Sequence, residues 1–184
     1  MFPNEMVWEN IETFGCEYLY ISRTEHMIQV ESTVISLETG FPVQIWYQMT
    51  LNNSWKATNV HIKDKNGPNL QLTSSGTGVW YDHHGVKLDY LNGAIDIDIS
   101  VTPFSNSLPI KRHTWHPGQK REIDMVYISI PSLDVQKVKQ TYTYIEHENE
   151  DRVFHFQHKH FASFISVDEN GYVTEYPGLF TRRY

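Results

Sequence analysis

Two carboxylates, Asp96 and Asp98, stand two residues apart in an alternating segment. Ile95, Ile97, Ile99 and Val101 fall on one face of it, and Asp96, Asp98, Ser100 and Thr102 on the other. Strand geometry sets the Cα atoms of such a pair about 6.5–7 Å apart. Glycosidases hold their two carboxyl groups about 5–9.5 Å apart, so this pair has the reach for acid–base work on a sugar. The competing reading is the wet face of a sheet. Asp is a poor strand former, however, and two of them on one face call for specific partners. Loop N–H groups, the guanidinium of Arg112 and ligand hydroxyls are the candidates.

Other chemistries find less in the sequence. The acid strand looks superficially like the E-I-D-I-E strand of some sugar hydrolases, but Asp, Asp and Ser stand where that pattern has Glu, Asp and Glu. The histidines at His83-His84, His113-x-x-His116 and His155-x-x-His158-x-His160 have loosely metal-like spacing. They lack an HExxH, a paired-Cys motif or any other set of three or four convergent ligands, so the expectation is no metal. A G-x-S-x-G elbow, a GxxxxGK[ST] loop and a GxGxxG loop are all missing. Cys16, in the strand-like CEYLYI, reads as a packing residue. The expectation is no cofactor.

The net charge of -7 argues against nucleic acid as a partner, because the chain's field would repel phosphates. A single cysteine makes no internal disulfide and asks for no oxidising compartment. MFPNEMVWENIE has acids where a signal peptide has basic residues, and no stretch approaches the roughly 20 apolar residues of a membrane span. The expected setting is cytoplasmic. Aromatics reach 14%, a residue class that suits strands and also sugar or lipid sites.

The elements that must position these residues are strands. Phe41, Val43, Ile45, Tyr47, Met49 and Leu51 alternate with Gln44, Trp46, Gln48 and Thr50. Period two predicts further strands over 17–22, 26–35, 56–63, 69–73, 79–81, 86–90, 122–130, 140–146, 152–157, 160–167 and 172–176. Turn signals such as Lys65-Asn66-Gly67-Pro68, Asn92-Gly93 and Glu169-Asn170-Gly171 divide them. The best helical stretch, Leu133 to Val138, is too short to carry a fold, and Pro103 to Gln119 reads as a long loop. The sum is an antiparallel all-β domain over 1–184, with little helix. Several strands are greasy on both faces: Val126, Ile128 and Ile130 oppose Ile123, Met125 and Tyr127, and Trp46 opposes Ile45 and Tyr47. Such a sheet must be covered twice, or curl around an apolar cleft.

DIDISVTPFSNSLPIKR, Asp96 to Arg112, resembles the signature of the bacterial "putative glycolipid-binding" family, roughly D-x-D-[IL]-x-x-[ST]-P-x-[ST]-N-[ST]-[LF]-P-[IV]-R-R, with Lys111 where Arg is usual. Two further blocks are similar to that family's: Val126 to Glu146 with its Q-x-Y, and Val167 to Tyr184 with V-D-x-x-G-x-V-x-x-Y-P-G-L-F. The resemblance spans the chain. It implies one large, strongly curved antiparallel sheet, a half-barrel or spiral β-roll, similar to carriers that hold acyl chains in a concavity. It implies a glycolipid or similar amphiphile as partner.

The functional reading is therefore a non-catalytic binding protein. Trp80, Tyr142 and Tyr144 would line the concave face. Asp96, Asp98, Thr102, Asn106 and Arg112, which match the family signature, would grip polar groups or brace the loop. The alternatives are a hydrolase acting on a sugar or ester through Asp96 and Asp98, and a structural or interaction domain. An enzyme needs both acids open to a pocket, one of them with a raised pKa. A binder needs a cavity of several hundred Å3.

Overall fold

The computed structural model describes residues 4–38, 40–65, 67–148 and 151–184. Asn66 of the 65–68 turn and the first residues of the N-terminal segment lie outside them. Fourteen strands form one sheet. In chain order they are β1 (Glu5–Asn10), β2 (Gly15–Arg23), β3 (Met27–Glu38), β4 (Phe41–Asn52), β5 (Ala57–Asp64), β6 (Asn69–Ser74) and β7 (Trp80–Tyr81). Then come β8 (Asp96–Ile99), helix α1 (Phe104–Arg112), β9 (Lys120–Ile128), β10 (Val135–Glu148), β11 (Asp151–His158), β12 (Phe161–Val167), β13 (Val173–Tyr176) and β14 (Phe180–Arg182).

The spatial order runs β7-β6-β5-β4-β3-β2-β1-β14-β13-β12-β11-β10-β9-β8. β1 pairs with both β2 and β14, so two consecutive meanders are welded into one sheet where the two ends of the strand series meet. The sheet does not close into a barrel. It curls enough for the β8–β9 end to pack against the other half. Ile97, Ile99, Val126 and Ile128 join Trp8, Leu19, Ile45, Tyr47 and other residues of β1–β7 in one core. The opposite face of β9 gives Ile123 and Met125 to a second core, with Tyr142, Phe154, Phe156, Ile165 and Val173. That division explains the greasy faces of β9: each faces its own core. Trp46 is a different case. It lies half-buried on the outer face, donating to Glu31 Oε1 at 3.2 Å with Lys63 Nζ 5.1 Å from its ring.

The structure corrects the sequence reading in four places. The 103–119 segment is not a loop throughout, because α1 fills Phe104–Arg112. The sheet is not wholly antiparallel, because β8 and β9 run parallel. The two differences have one cause: parallel neighbours need a long crossover, and α1 lies within it. Leu133 to Val138 is not helical; Leu133 turns the chain with φ 58° and β10 begins at Val135. Residues 86–90 hold one isolated bridge, Tyr81 to Lys87, before a 3-10 turn at Asp89–Leu91.

Candidate functional site

α1 is buried along nearly its whole length, from Phe104 to Ile110. Phe104 and Leu108 enter the first core and Ile110 the second. Ser105 Oγ accepts the Ile99 N–H at 2.9 Å, fastening the helix to the end of β8. At the far end, Arg112 grips Asp96 through Nε at 3.0 Å and Nη2 at 2.6 Å. Asp96 is 1% exposed. Burial pushes its carboxyl up, and the Arg112 guanidinium pulls back part of that shift. Beyond this pair, Arg112 opens on a separate hollow of about 270 Å3 with His113 and Glu122.

Asp98 has a different neighbourhood. It is half-buried on the wall of a cleft of about 330 Å3. Burial pushes its carboxyl up to about 6, against the pull of Gln140. Gln140 Nε2 donates to Asp98 Oδ2 at 2.5 Å, Tyr142 O–H donates to Gln140 Oε1 at 3.2 Å, and Asn106 Nδ2 donates to Tyr142 Oη at 2.9 Å. A hydrogen-bonded chain thus links β8, β10 and α1. Asp98, Ser100, Thr102, Asn106 and Gln140 form the polar part of the lining. Tyr127, Phe156, Phe161, Tyr176 and Phe180 supply aromatic surface. Glu12 and His158 also reach the cleft. His158 Nδ1 lies 3.1 Å from Lys139 O, which fixes that nitrogen as the donor.

Beneath Thr102 lies a second buried acid. Glu17 Oε1 accepts from Tyr47 O–H at 2.6 Å and from Ser32 O–H at 2.7 Å, while Oε2 has no hydrogen-bond partner among the described residues. Burial pushes this carboxyl up to about 7. Tyr47 Oη lies 3.3 Å from Thr102 Oγ1, so the cleft lining and the acid share one network.

Of the residues singled out from the sequence, Asp98, Thr102 and Asn106 converge on the cleft. Tyr142, 0% exposed, sits behind them as a link. Asp96 and Arg112 brace the helix instead of opening on that cleft. Trp80 lies within the first core, its indole N–H donating to Ala94 O at 2.7 Å. Tyr144 packs at 5.1 Å on Phe154 in the second core. Neither lines the cleft, because each is packed inside its core. Sequence reasoning missed Gln140, although a signal existed: it interrupts the inward series Val138, Tyr142, Tyr144 with a polar group. Among the described residues, no group of three or more His, Cys, Asp or Glu side chains is arranged to hold a metal ion.

The fold and cleft together define an open, curled β-sheet protein with a pocket that is polar on one side and aromatic on the other. Within that class the chain belongs to the family described as "Putative glycolipid-binding", whose model matches residues 5–182. A solved structure of a DUF1089 family protein from Pseudomonas aeruginosa is similar over 90% of this chain and 91% of that one, with 30% identity and a TM-score of 0.77. No curated protein matches. No helix among the described residues is long and apolar enough to cross a membrane.

Proposed function

We propose that the protein binds an amphiphile in this cleft, a glycolipid or a related acyl-glycan, without transforming it. The observation that carries the reading is the gathering of Asp98, Thr102, Asn106 and Gln140 on a cleft that also presents the rings of Tyr127, Phe156, Phe161, Tyr176 and Phe180. The acid, the hydroxyl and the amides suit sugar hydroxyls, and the rings suit the apolar faces of a sugar or an acyl chain. A volume of about 330 Å3 stands at the lower end of ligand pockets. It fits one sugar ring or one segment of chain, with the rest of the ligand outside.

Hydrolysis has weaker support. A two-carboxylate mechanism needs both acids at the substrate, and the bidentate hold of Arg112 occupies Asp96. Asp98 keeps the raised pKa of a general acid, but Asp96 does not line the cleft, and the other carboxylate there is the exposed Glu12. We read the whole chain as one domain, in keeping with a single continuous sheet. A cytoplasmic setting agrees with its lone, exposed thiol, Cys16.

Native mass spectrometry of the purified protein tests for a co-purified amphiphile, and titration with dodecyl maltoside below its micelle concentration tests the cleft directly. Binding that weakens in Asp98→Asn is the expected result. An apo mass together with titrations indifferent to Asp98→Asn would sink the reading.

A further inference from the structure

We propose that the cationic cluster where the end of α1 meets the β12–β13 turn binds a compact tetrahedral oxyanion, a phosphate or phosphate monoester. Its components come from four separate elements. Lys111, at the end of α1, donates from Nζ to Asn170 O, and the same nitrogen stands 4.3 Å from the Trp55 ring centre and 3.8 Å from that of Tyr172. Arg23, at the end of β2, lies 5.0 Å over Trp55 and reaches Tyr172 Oη at 3.5 Å. Arg152, on β11, comes to the same turn. A Cβ built on Gly171 would meet Lys111 Cγ at 2.9 Å and Arg152 Nη2 at 3.1 Å. Gly171 holds φ +81°, so this position is closed to a side chain on two counts, and the Lys111 stem and the Arg152 guanidinium pack over its bare α-carbon. Arg182, on β14, completes the group.

The carboxylate among them is already committed. Asp168 accepts the Tyr172 N–H at 2.9 Å through Oδ1 and Arg182 Nη1 at 2.7 Å through Oδ2. Among the described residues, no carboxylate stands within ion-pair distance of Lys111 or Arg152. Among the described residues Arg152 Nε is buried with no hydrogen-bond partner, a costly state for a guanidinium donor. Such a concentration of cations runs against the acidic composition of the chain, net -7. Desolvation foremost, then Arg23, with a smaller push from Arg152, lowers the Lys111 amine to about 7, while Asp168 pulls the other way. Arg182 has Asp168 as its counter-charge; for Lys111 and Arg152, part-buried and of like charge, an oxyanion supplies the charge and the acceptors together. The Arg152 guanidinium fork beside an ammonium point charge offers donors in several directions, which suits the several oxygens of a phosphate better than the two of a carboxylate. None of these cations lines the cleft, so the site stands or falls apart from the amphiphile reading.

The test is calorimetric titration of the intact protein with inorganic phosphate at constant ionic strength. One site is expected, weakened about tenfold or more in Lys111→Gln and in Arg152→Gln, the scale of one lost charge-assisted hydrogen bond. Sulfate, which does not titrate near neutrality, gives the pH profile. Its affinity should fall as pH rises through about 7, where Lys111 loses its proton, and Lys111→Gln should abolish that fall. Wild-type protein labelled with 15N guards against variants that misfold: the Gly171 and Tyr172 amides should shift on adding phosphate. Vesicles of phosphatidylcholine with and without phosphatidate separate the two sources of such a group. Recruitment that needs phosphatidate and is competed by phosphate assigns the site to a lipid headgroup; phosphate binding without recruitment assigns it to a soluble phosphate. Absence of binding to both, shifts confined to other amides, or affinity unchanged in both variants would overturn the proposal.

Discussion

Asp98 and Glu17 are carboxyls on one hydrogen-bonded region, raised by the same cause to different degrees, and each makes its own prediction. Asp98 changes from a protonated donor to an acceptor-only carboxylate through about pH 6. As a carboxylate it accepts hydrogen bonds from sugar hydroxyls, so dodecyl maltoside affinity should rise as pH passes upward through about 6. Asp98→Asn should flatten that dependence, measured by titration across the interval. Glu17, 2% exposed, reports on folding instead. Its folded pKa, about 7, exceeds the ordinary 4.5. Between those values the native state holds a proton that the unfolded chain has lost, so stability falls as pH rises through that window. Glu17→Gln reproduces the neutral acid's shape and cannot ionise. It should remove the decline and gain of order 2–3 kcal/mol near pH 8, read from urea melts at several pH values.

At the scale of elements, α1 is clamped at both ends to β8. Ser105→Ala orphans the buried Ile99 N–H and should cost about 1–3 kcal/mol. Arg112→Ala leaves Asp96 charged and buried without a partner, a loss of about 3–5 kcal/mol. Adding Asp96→Asn to Arg112→Ala should recover much of that loss, because an amide needs no counter-charge; chemical denaturation of the single and double variants measures it. The same helix shows why this part of the sequence misleads. Amphipathic periodicity arises when one helix face is wet, and here Ser105, Asn106 and Ser107 are buried along with Phe104 and Leu108. With Pro109 inside it, the segment carries neither a polar stripe nor a clean helical signature. Asp96 and Asp98 look equivalent in sequence for a related reason. Period two assigns them one face but says nothing of what approaches it, and only the tertiary structure brings Arg112 to one and Gln140 to the other.

Across the whole molecule, alternation revealed most strands and the need to cover both faces of β9, because side-chain burial is a local signal. It missed β1 and β14. Their pairing, Trp8 with Arg182 and Asn10 with Phe180, joins residues at opposite ends of the sequence, a relation that no local period records. The curl created by that join puts the inward side of β11–β14 beside β8 and gives the cleft its aromatic wall. Phe161 and Phe164, three residues apart on β12, therefore make a matched pair, since odd spacing sends them to opposite faces. Phe161, 43% exposed, lines the cleft, whereas Phe164, 53% exposed, lies 5.0 Å from His155 on the outer face. Truncating either half-exposed ring to Ala should cost about 1 kcal/mol or less of stability. Only Phe161→Ala removes apolar surface that a bound chain or sugar would cover, and it should weaken dodecyl maltoside about tenfold. Parallel titrations and melts of the two variants separate a ligand-bearing concavity from a sheet that is merely aromatic on both sides. Equal losses of affinity, or none in either variant, would place the amphiphile somewhere other than this cleft.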